Sequence, residues 1–453
     1  MIVGENSLAM AVSILGSARL GAWAVPVNAR LSAREIDGIR DHAGPRVGIY
    51  TIGCSTDADA HGARHGAVTF PELSDLAASV ARFSDAQAPV DESDLAPGHR
   101  VAAMIYTSGT TGLPKGVMLT HDNLLFVAGR SCRSRRAAPG DRIFGVLPCS
   151  HVFGLASVFL GNMYGGAWVD LKAKFSAEEA VASIESGDLT IFNGVPQMYA
   201  RILEHTTLRG SALSPGRVRY LSSGGAPLDL GLKERVETAF GLPLHNGYGL
   251  TETSPTVTVT EIARPRADNT VGEILQDVSV RIADDLGAEL SSGQVGEIWV
   301  SGRLVMKGYY RAEDETAAVL SEMDGQLWFK TGDIGLIRAD PDSGERLLYV
   351  VGRKKELIIR SGFNVYPPEV EEAILRHPDV ALCGVVGRPG SDGNEDILAF
   401  VQPVQGRTPA VEDLAAFVTS SLSPYKRPSH WILREALPAT AAGKILKHRL
   451  SAD

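Results

Sequence analysis

Between Thr107 and Gly116 the chain reads Thr107-Ser108-Gly109-Thr110-Thr111-Gly112-Leu113-Pro114-Lys115-Gly116, which gathers four hydroxyls, three glycines and one lysine in ten residues. Glycines let backbone N–H groups come close to an anion, hydroxyls donate further hydrogen bonds, and an ammonium offsets polyphosphate charge. The chemistry this suits is the cradling of a triphosphate. The order differs from the Walker A pattern, because Pro114 stands before Lys115 and Gly116 after it. A flexible Gly/Thr turn without a ligand is the plain alternative, and a string this rich in hydroxyls makes it the weaker one.

The elements around the loop must hold it. A strand over Val101 to Tyr106 feeds directly into it. Upstream, Leu8, Val12, Leu15 and Leu20 recur at helical spacing in Asn6 to Trp23, followed by the strand-like Ala24 to Val27. Ser32-Ala33-Arg34-Glu35 has the form of a capping box opening a helix toward His42, and Val47 to Thr51 reads as the next strand. Further strands are expected at Ile143 to Leu147, Ala167 to Leu171, Thr190 to Asn193, Val218 to Ser222 and Leu244 to Tyr248, with helical stretches between them. Such alternation predicts an α/β domain with largely parallel sheets. Gly53 to Gly98 is polar and weakly periodic and offers neither helix nor strand. After Thr270 short alternating runs, Val278 to Ile282 and Gly296 to Val300, predict a small antiparallel β unit. A strand pair (Leu347 to Val351, Leu357 to Arg360), a helix from about Pro367, strands at Val380 to Val386 and Ile397 to Val401 and a helix near Val411 to Ser420 form a small α+β tail. The fold expected is therefore a large N-terminal α/β domain over 1–353 and a small C-terminal domain over 354–453.

A length of 453 residues suits two domains. The net charge of -9 gives no basic footprint, which argues against nucleic acid as a partner. The four cysteines form no CxxC pair, so zinc and disulfide frameworks are not suggested and a reducing, cytoplasmic setting is expected. No apolar run reaches the length of a membrane span.

Beyond the loop, the chain carries Ser223-Gly224-Gly225-Ala226-Pro227, Asn246-Gly247-Tyr248-Gly249-Leu250-Thr251-Glu252-Thr253, Thr331-Gly332-Asp333, Gly352-Arg353-Lys354-Lys355 and Gly443-Lys444. In this order the pieces resemble the adenylate-forming superfamily of acyl-CoA synthetases, luciferases and adenylation domains. The resemblance covers nearly the whole chain. It implies a carboxylic acid:CoA ligase using ATP, Mg²⁺ and CoA, in which a carboxylate is activated as an acyl-adenylate and passed to a thiol. Thr107, Ser108, Gly109, Thr110, Thr111, Gly112 and Lys115 would then hold the β- and γ-phosphates, Thr251 the α-phosphate and Glu252 the magnesium. Gly225, Ala226, Pro227, Asn246, Tyr248 and Gly249 would frame the adenine, while Asp333 and Arg353 would flank the ribose. Lys444 corresponds to the catalytic lysine of adenylation, although Ala439 stands where the family has a basic residue. Lys355 occupies the hinge about which the small domain turns, and Gly362 leaves room for the thiol arm of CoA.

By the same resemblance His151, Val152, Phe153, Gly154 and Gly224 line the acyl pocket, with Tyr164, Asn193 to Pro196 and Ser222 completing its wall. These residues are mostly small and apolar and offer no clear cation for a second substrate carboxylate. A medium- or long-chain fatty acid is the expected substrate, with an aromatic acid as runner-up. Loading of a carrier protein, or nucleotide binding without turnover, stays open, as does a homodimer. Gly4-Glu5-Asn6-Ser7 normally occurs well inside such enzymes, so the first strands and helices of the family are expected to be missing.

Overall fold

The computed structural model describes residues 1–84, 88, 90–107, 115–360, 363–389, 395–439 and 445–450. Ser32 caps the helix Ala33–Ala43 as the sequence predicts: its side chain accepts from the Glu35 backbone, and the Glu35 carboxylate accepts from the Ser32 backbone N–H at 2.8 Å. Gly44 closes that helix in the left-handed conformation, at φ 56°, where a side chain would be strained. The strands Pro26–Asn28, Ile2–Gly4 and Val47–Thr51 lie parallel, and Ala78–Arg82 adds an antiparallel edge.

Five parallel strands form the heart of the large domain, in the order Leu244–Gly249, Tyr220–Ser223, Ile191–Gly194, Arg142–Gly145 and Trp168–Leu171. Their buried residues Phe144, Phe192, Leu221 and Leu244 pack with Tyr199, Ile202 and Val236 of the covering helices. The antiparallel strands expected as a separate unit instead continue this same sheet to twelve strands, beginning already at Thr256–Val259. The strand Arg346–Arg353 also belongs here. It pairs with Gln326–Ala339, so it is not the partner of Ile358–Arg360 that the sequence order suggested. A hairpin of Val101–Thr107 and Lys115–Thr120 packs beside the sheet and places Thr107 opposite Lys115, at the two ends of the phosphate loop.

Two local readings differ from the structure. Gly53 to Gly98 contains the helix Thr56–Arg64 and the strand Ala78–Arg82. The helix is held by its Ser55 cap and by small residues, Ala58 and Gly62, that bring it against Tyr50, a signal that large-residue periodicity does not carry. In the first helix, Leu8–Arg19, the buried face is Ala9, Met10, Ala11 and Ile14. The leucine-spaced face is the open one, with Leu8 62%, Val12 42%, Leu15 41% and Leu20 83% exposed. A helix apolar on every side does not declare its inner face by its largest residues.

After Arg353 a short turn, Lys354–Glu356, leads into the C-terminal part, where the helix Pro367–Leu375 covers the strands Val380–Pro389, Glu395–Pro403 and His430–Leu433. Its own core gathers Val370, Ile374, Val385, Ile397, Val401 and Leu414. No helix among the described residues is long and apolar enough to cross a membrane.

Candidate active site

One large cleft collects most of the residues singled out from the sequence. Thr107, Lys115, Gly225, Asn246, Tyr248, Gly249, Thr251, Glu252, Asp333, Arg353 and Lys355 all line it, as do His151, Val152, Phe153, Gly154 and Gly224. Ala226 and Pro227 follow Gly225 in the chain but stand outside this lining. Ser108, Gly109, Thr110, Thr111, Gly112, Gly362 and Lys444 lie outside the described residues. The C-terminal part closes one side of the cleft through Val385 to Gly387 and Ile445 to Arg449.

At the ribose position the two strands Gln326–Ala339 and Arg346–Arg353 bring Asp333 and Arg353 into register as cross-strand partners. Asp333 Oδ1 lies 3.1 Å from Arg353 Nε, and Oδ2 accepts from the Tyr248 hydroxyl at 2.7 Å. Burial and the neighbouring Asp333 carboxylate hold the Tyr248 hydroxyl well above the usual tyrosine range, so it remains a donor. The carboxylate is itself buried, with its orientation fixed from both sides. Asn246 is buried beside the same strand end and donates to the Thr270 carbonyl at 3.1 Å.

At the phosphate end Lys115 Nζ sits 4.9 Å from the centre of the Tyr309 ring. The Tyr309 hydroxyl donates to Glu252 Oε1 at 2.8 Å, and the Glu252 carbonyl accepts from the Met306 backbone at 2.9 Å. Burial, with the Glu252 charge added, pushes the Tyr309 hydroxyl up and keeps it protonated. Sequence reasoning passed over Tyr309, whose only signal was an aromatic after Gly308 far from the other motifs. Among the described residues no group of three or more His, Cys, Asp or Glu could enclose a metal ion. Glu252 fits magnesium in a different manner: one hard carboxylate is what this ion needs from a protein when phosphate oxygens and water complete its shell.

Below the nucleotide end, the side chains of Gly224, Ser222 and Tyr220 share one face of the strand Tyr220–Ser223 and its continuation, because alternate residues point the same way. A Cβ on Gly224 would meet the Phe153 ring at 3.2 Å, so glycine there lets the ring close over the pocket. Phe153 opens a π-helical segment, Phe153–Leu160, that forms the opposite wall, and His151 Nδ1 accepts from the Phe153 backbone at 3.2 Å. Tyr164, expected in the wall, is exposed instead and packs by Gly129 on the outer surface.

The sequence found no cation for the pocket, but the structure has one. Arg135, the last residue of the helix His121–Arg135, is buried on the face that also carries Leu124, Ala128 and Ser131. It lines the cleft together with Ser131, Ser134 and Ser157. Nη1 donates to the Ser157 carbonyl and Nη2 to the Ser157 hydroxyl, both at 2.8 Å, and Asn193 Oδ1 lies 3.4 Å from Nη1. Asn193 in turn donates to the Ser222 hydroxyl at 2.5 Å. In the sequence Arg135 belongs to a basic run, Arg133, Arg135 and Arg136, which reads as a solvated helix end.

The cleft therefore joins a ribose-type carboxylate, a polyphosphate-type lysine and a magnesium-type glutamate above an enclosed pocket. The AMP-binding enzyme family matches residues 1–310, and the AMP-binding enzyme C-terminal domain matches residues 369–444. The chain belongs to the AMP-binding enzyme family. It is thus an ATP-dependent acid:CoA ligase, with ATP, Mg²⁺ and CoA as its cofactor and co-substrates. Among curated relatives, the long-chain-fatty-acid–CoA ligase of Bacillus subtilis (strain 168) is 37% identical over 359 residues, 78% of this chain and 62% of that protein. A feruloyl-CoA synthase of Amycolatopsis is 33% identical over 98% of this chain and 86% of its own length. Among solved AMP-binding enzymes, ATP-bound MatB from Rhodopseudomonas palustris superposes with a TM-score of 0.82 at 29% identity, over 99% of this chain and 87% of that one.

Proposed function

We propose that this ligase activates a compact, oxygenated carboxylic acid, adenylating it and then passing the acyl group to CoA. The observation that supports this substrate class is the floor of the acyl pocket. Arg135, Ser157 and Ser222 put a guanidinium and hydroxyls where a long alkyl chain would need apolar walls. An oxygenated acid fits this floor better than the fatty acid expected from the sequence.

In the first half-reaction a carboxylate oxygen attacks the α-phosphorus of ATP and pyrophosphate leaves, so the chain must place the two oxygens in line and offset charge on both sides. Asp333 is oriented by Tyr248 and Arg353 to accept from ribose hydroxyls. Thr251, in the turn Thr251–Thr253 that follows the strand Leu244–Gly249, is assigned to the α-phosphate, and Lys115 with the loop before it to the outer phosphates. Magnesium held by Glu252 would offset charge on the departing pyrophosphate. Lys444 is assigned to the carboxylate and α-phosphate.

In the second half-reaction the thiol of CoA attacks the acyl carbonyl and AMP leaves, which requires the C-terminal part to turn about Lys355 and present Gly362. The flanks of that residue are anchored on opposite sides. Lys354 Nζ lies 2.9 Å from Asp285 and 3.4 Å from Glu297 of the large domain. Glu356 accepts from Lys447 of the C-terminal part at 2.8 Å.

A screen of pyrophosphate release over alkanoic, aryl and dicarboxylic acids, with and without CoA, tests the reading. Oxygenated acids should outrun alkanoates of equal length and yield CoA thioesters. A long-chain alkanoate as best substrate would overturn the substrate class, and pyrophosphate release without any CoA thioester would overturn the second half-reaction.

A further inference from the structure

Arg135 is the one described side chain at the pocket floor that carries a full charge, and it is 4% exposed. Among the described residues no carboxylate lies within ion-pair distance of it, whereas the neighbouring Arg219 is paired with Asp141. Both Nη atoms donate to Ser157, Nη1 also lies 3.4 Å from Asn193 Oδ1, and Nε is buried without a hydrogen-bond partner. A guanidinium matches a carboxylate with two parallel bonds. Burial alone pulls the guanidinium below its ordinary pKa, yet an arginine remains charged at any working pH. A desolvated cation of this kind is costly to hold unless an anion arrives to share the site.

The strand sets its depth. Ser222 lies two residues below Gly224, about 7 Å at the usual rise of a strand. Asn193 links Ser222 to Arg135. On the ligase reading above, and resting on it, we infer that Arg135 selects the far end of the substrate, and that the far end is a second carboxylate: the enzyme activates one carboxyl of a dicarboxylic acid whose other carboxylate docks on the Arg135 guanidinium. The reacting carboxylate is spent on the α-phosphorus, while the distal one stays ionised and untouched. No redox change or additional reactant enters the reaction.

The test compares acids of equal length that differ only at the far end: hexanedioate and octanedioate against hexanoate and octanoate, in the wild type, Arg135→Met and Arg135→Lys. In the wild type one diacid should exceed its monoacid in kcat/KM by at least about 30-fold, the loss expected when one partner of a buried charge pair is missing. Arg135→Met should lower kcat/KM for that diacid by at least about 30-fold and for octanoate by far less, erasing the preference, and Arg135→Lys should retain part of it. The preferred diacid should also raise the melting temperature of the wild type and leave that of Arg135→Met unmoved. Equal loss for diacid and monoacid in Arg135→Met, or a wild type that prefers the monoacid, would overturn the inference while leaving the ligase reading intact. Failure of every acid to release pyrophosphate would overturn the ligase reading itself.

Discussion

The two ends of the cleft handle charge in opposite ways. At the nucleotide end each titratable group faces a partner supplied by the protein: Asp333 lies between Tyr248 and Arg353, and Glu252 accepts from Tyr309, above which Lys115 is seated. At the acyl end Arg135 is held by neutral oxygens only. A site that takes the same ligand in every turnover can be pre-set down to its hydrogen bonds. A site that must recognise one acid among many keeps a donor edge for the acid itself. Pre-organisation by protein partners thus marks the shared chemistry, and an unmatched buried charge marks the selective step.

The comparison is broken most severely by removing the amine assigned to adenylation. Lys444→Ala should lower acyl-adenylate formation by about 100- to 1,000-fold, the range for loss of a transition-state charge donor. The same protein should still convert supplied acyl-adenylate and CoA to thioester, measured by single-turnover assays of each half. Unimpaired adenylation would falsify the assignment. Next in size, Asp333→Ala should raise the KM for ATP by about 30-fold or more while the KM of the acid stays within about 2-fold, because the ribose contact and the anchor for Arg353 vanish together.

Lys355→Pro fixes φ at the pivot. Stopped-flow measurement should find thioester formation slowed by about 10-fold with adenylation nearly unchanged, and equal slowing of both would sink the pivot assignment. The smallest effect is expected for Tyr309→Phe, which keeps the ring under Lys115 and removes only the bond to Glu252. Adenylation should fall by about 5-fold, with partial recovery when magnesium is raised. A loss indifferent to magnesium would mean that Tyr309 acts on packing instead.

The nucleotide end was legible because its residues sit in contiguous strings. Tyr248, Thr251 and Glu252 are within five positions of one another, and the strand end that carries them needs no distant partner to be recognised. The capping box at Ser32 and the strand positions of the parallel sheet were legible for the same local reason. The acyl floor is assembled differently, from a helix end, a π-helical wall and two strand tips separated by tens of residues. No string could announce that Arg135 turns in while Arg133 stays with the ordinary helix end. Tyr309 was hidden likewise, since its partner Glu252 is 57 residues away. In Leu8–Arg19 the spacing of Leu8, Val12, Leu15 and Leu20 announced a helix but not its inner face, which is Ala9, Met10, Ala11 and Ile14.

The anchored flanks of Lys355 have a mechanical consequence. With Lys354 fastened to the large domain and Glu356 to Lys447, any swing is concentrated in the two torsions of one residue, a bearing and not a flexible strap. The fastenings differ in quality: the Lys354–Asp285 pair is exposed to solvent, whereas Lys447 is half-buried and pairs with Glu371 at 2.9 Å as well as with Glu356. Added salt should therefore loosen the stator before the rotor.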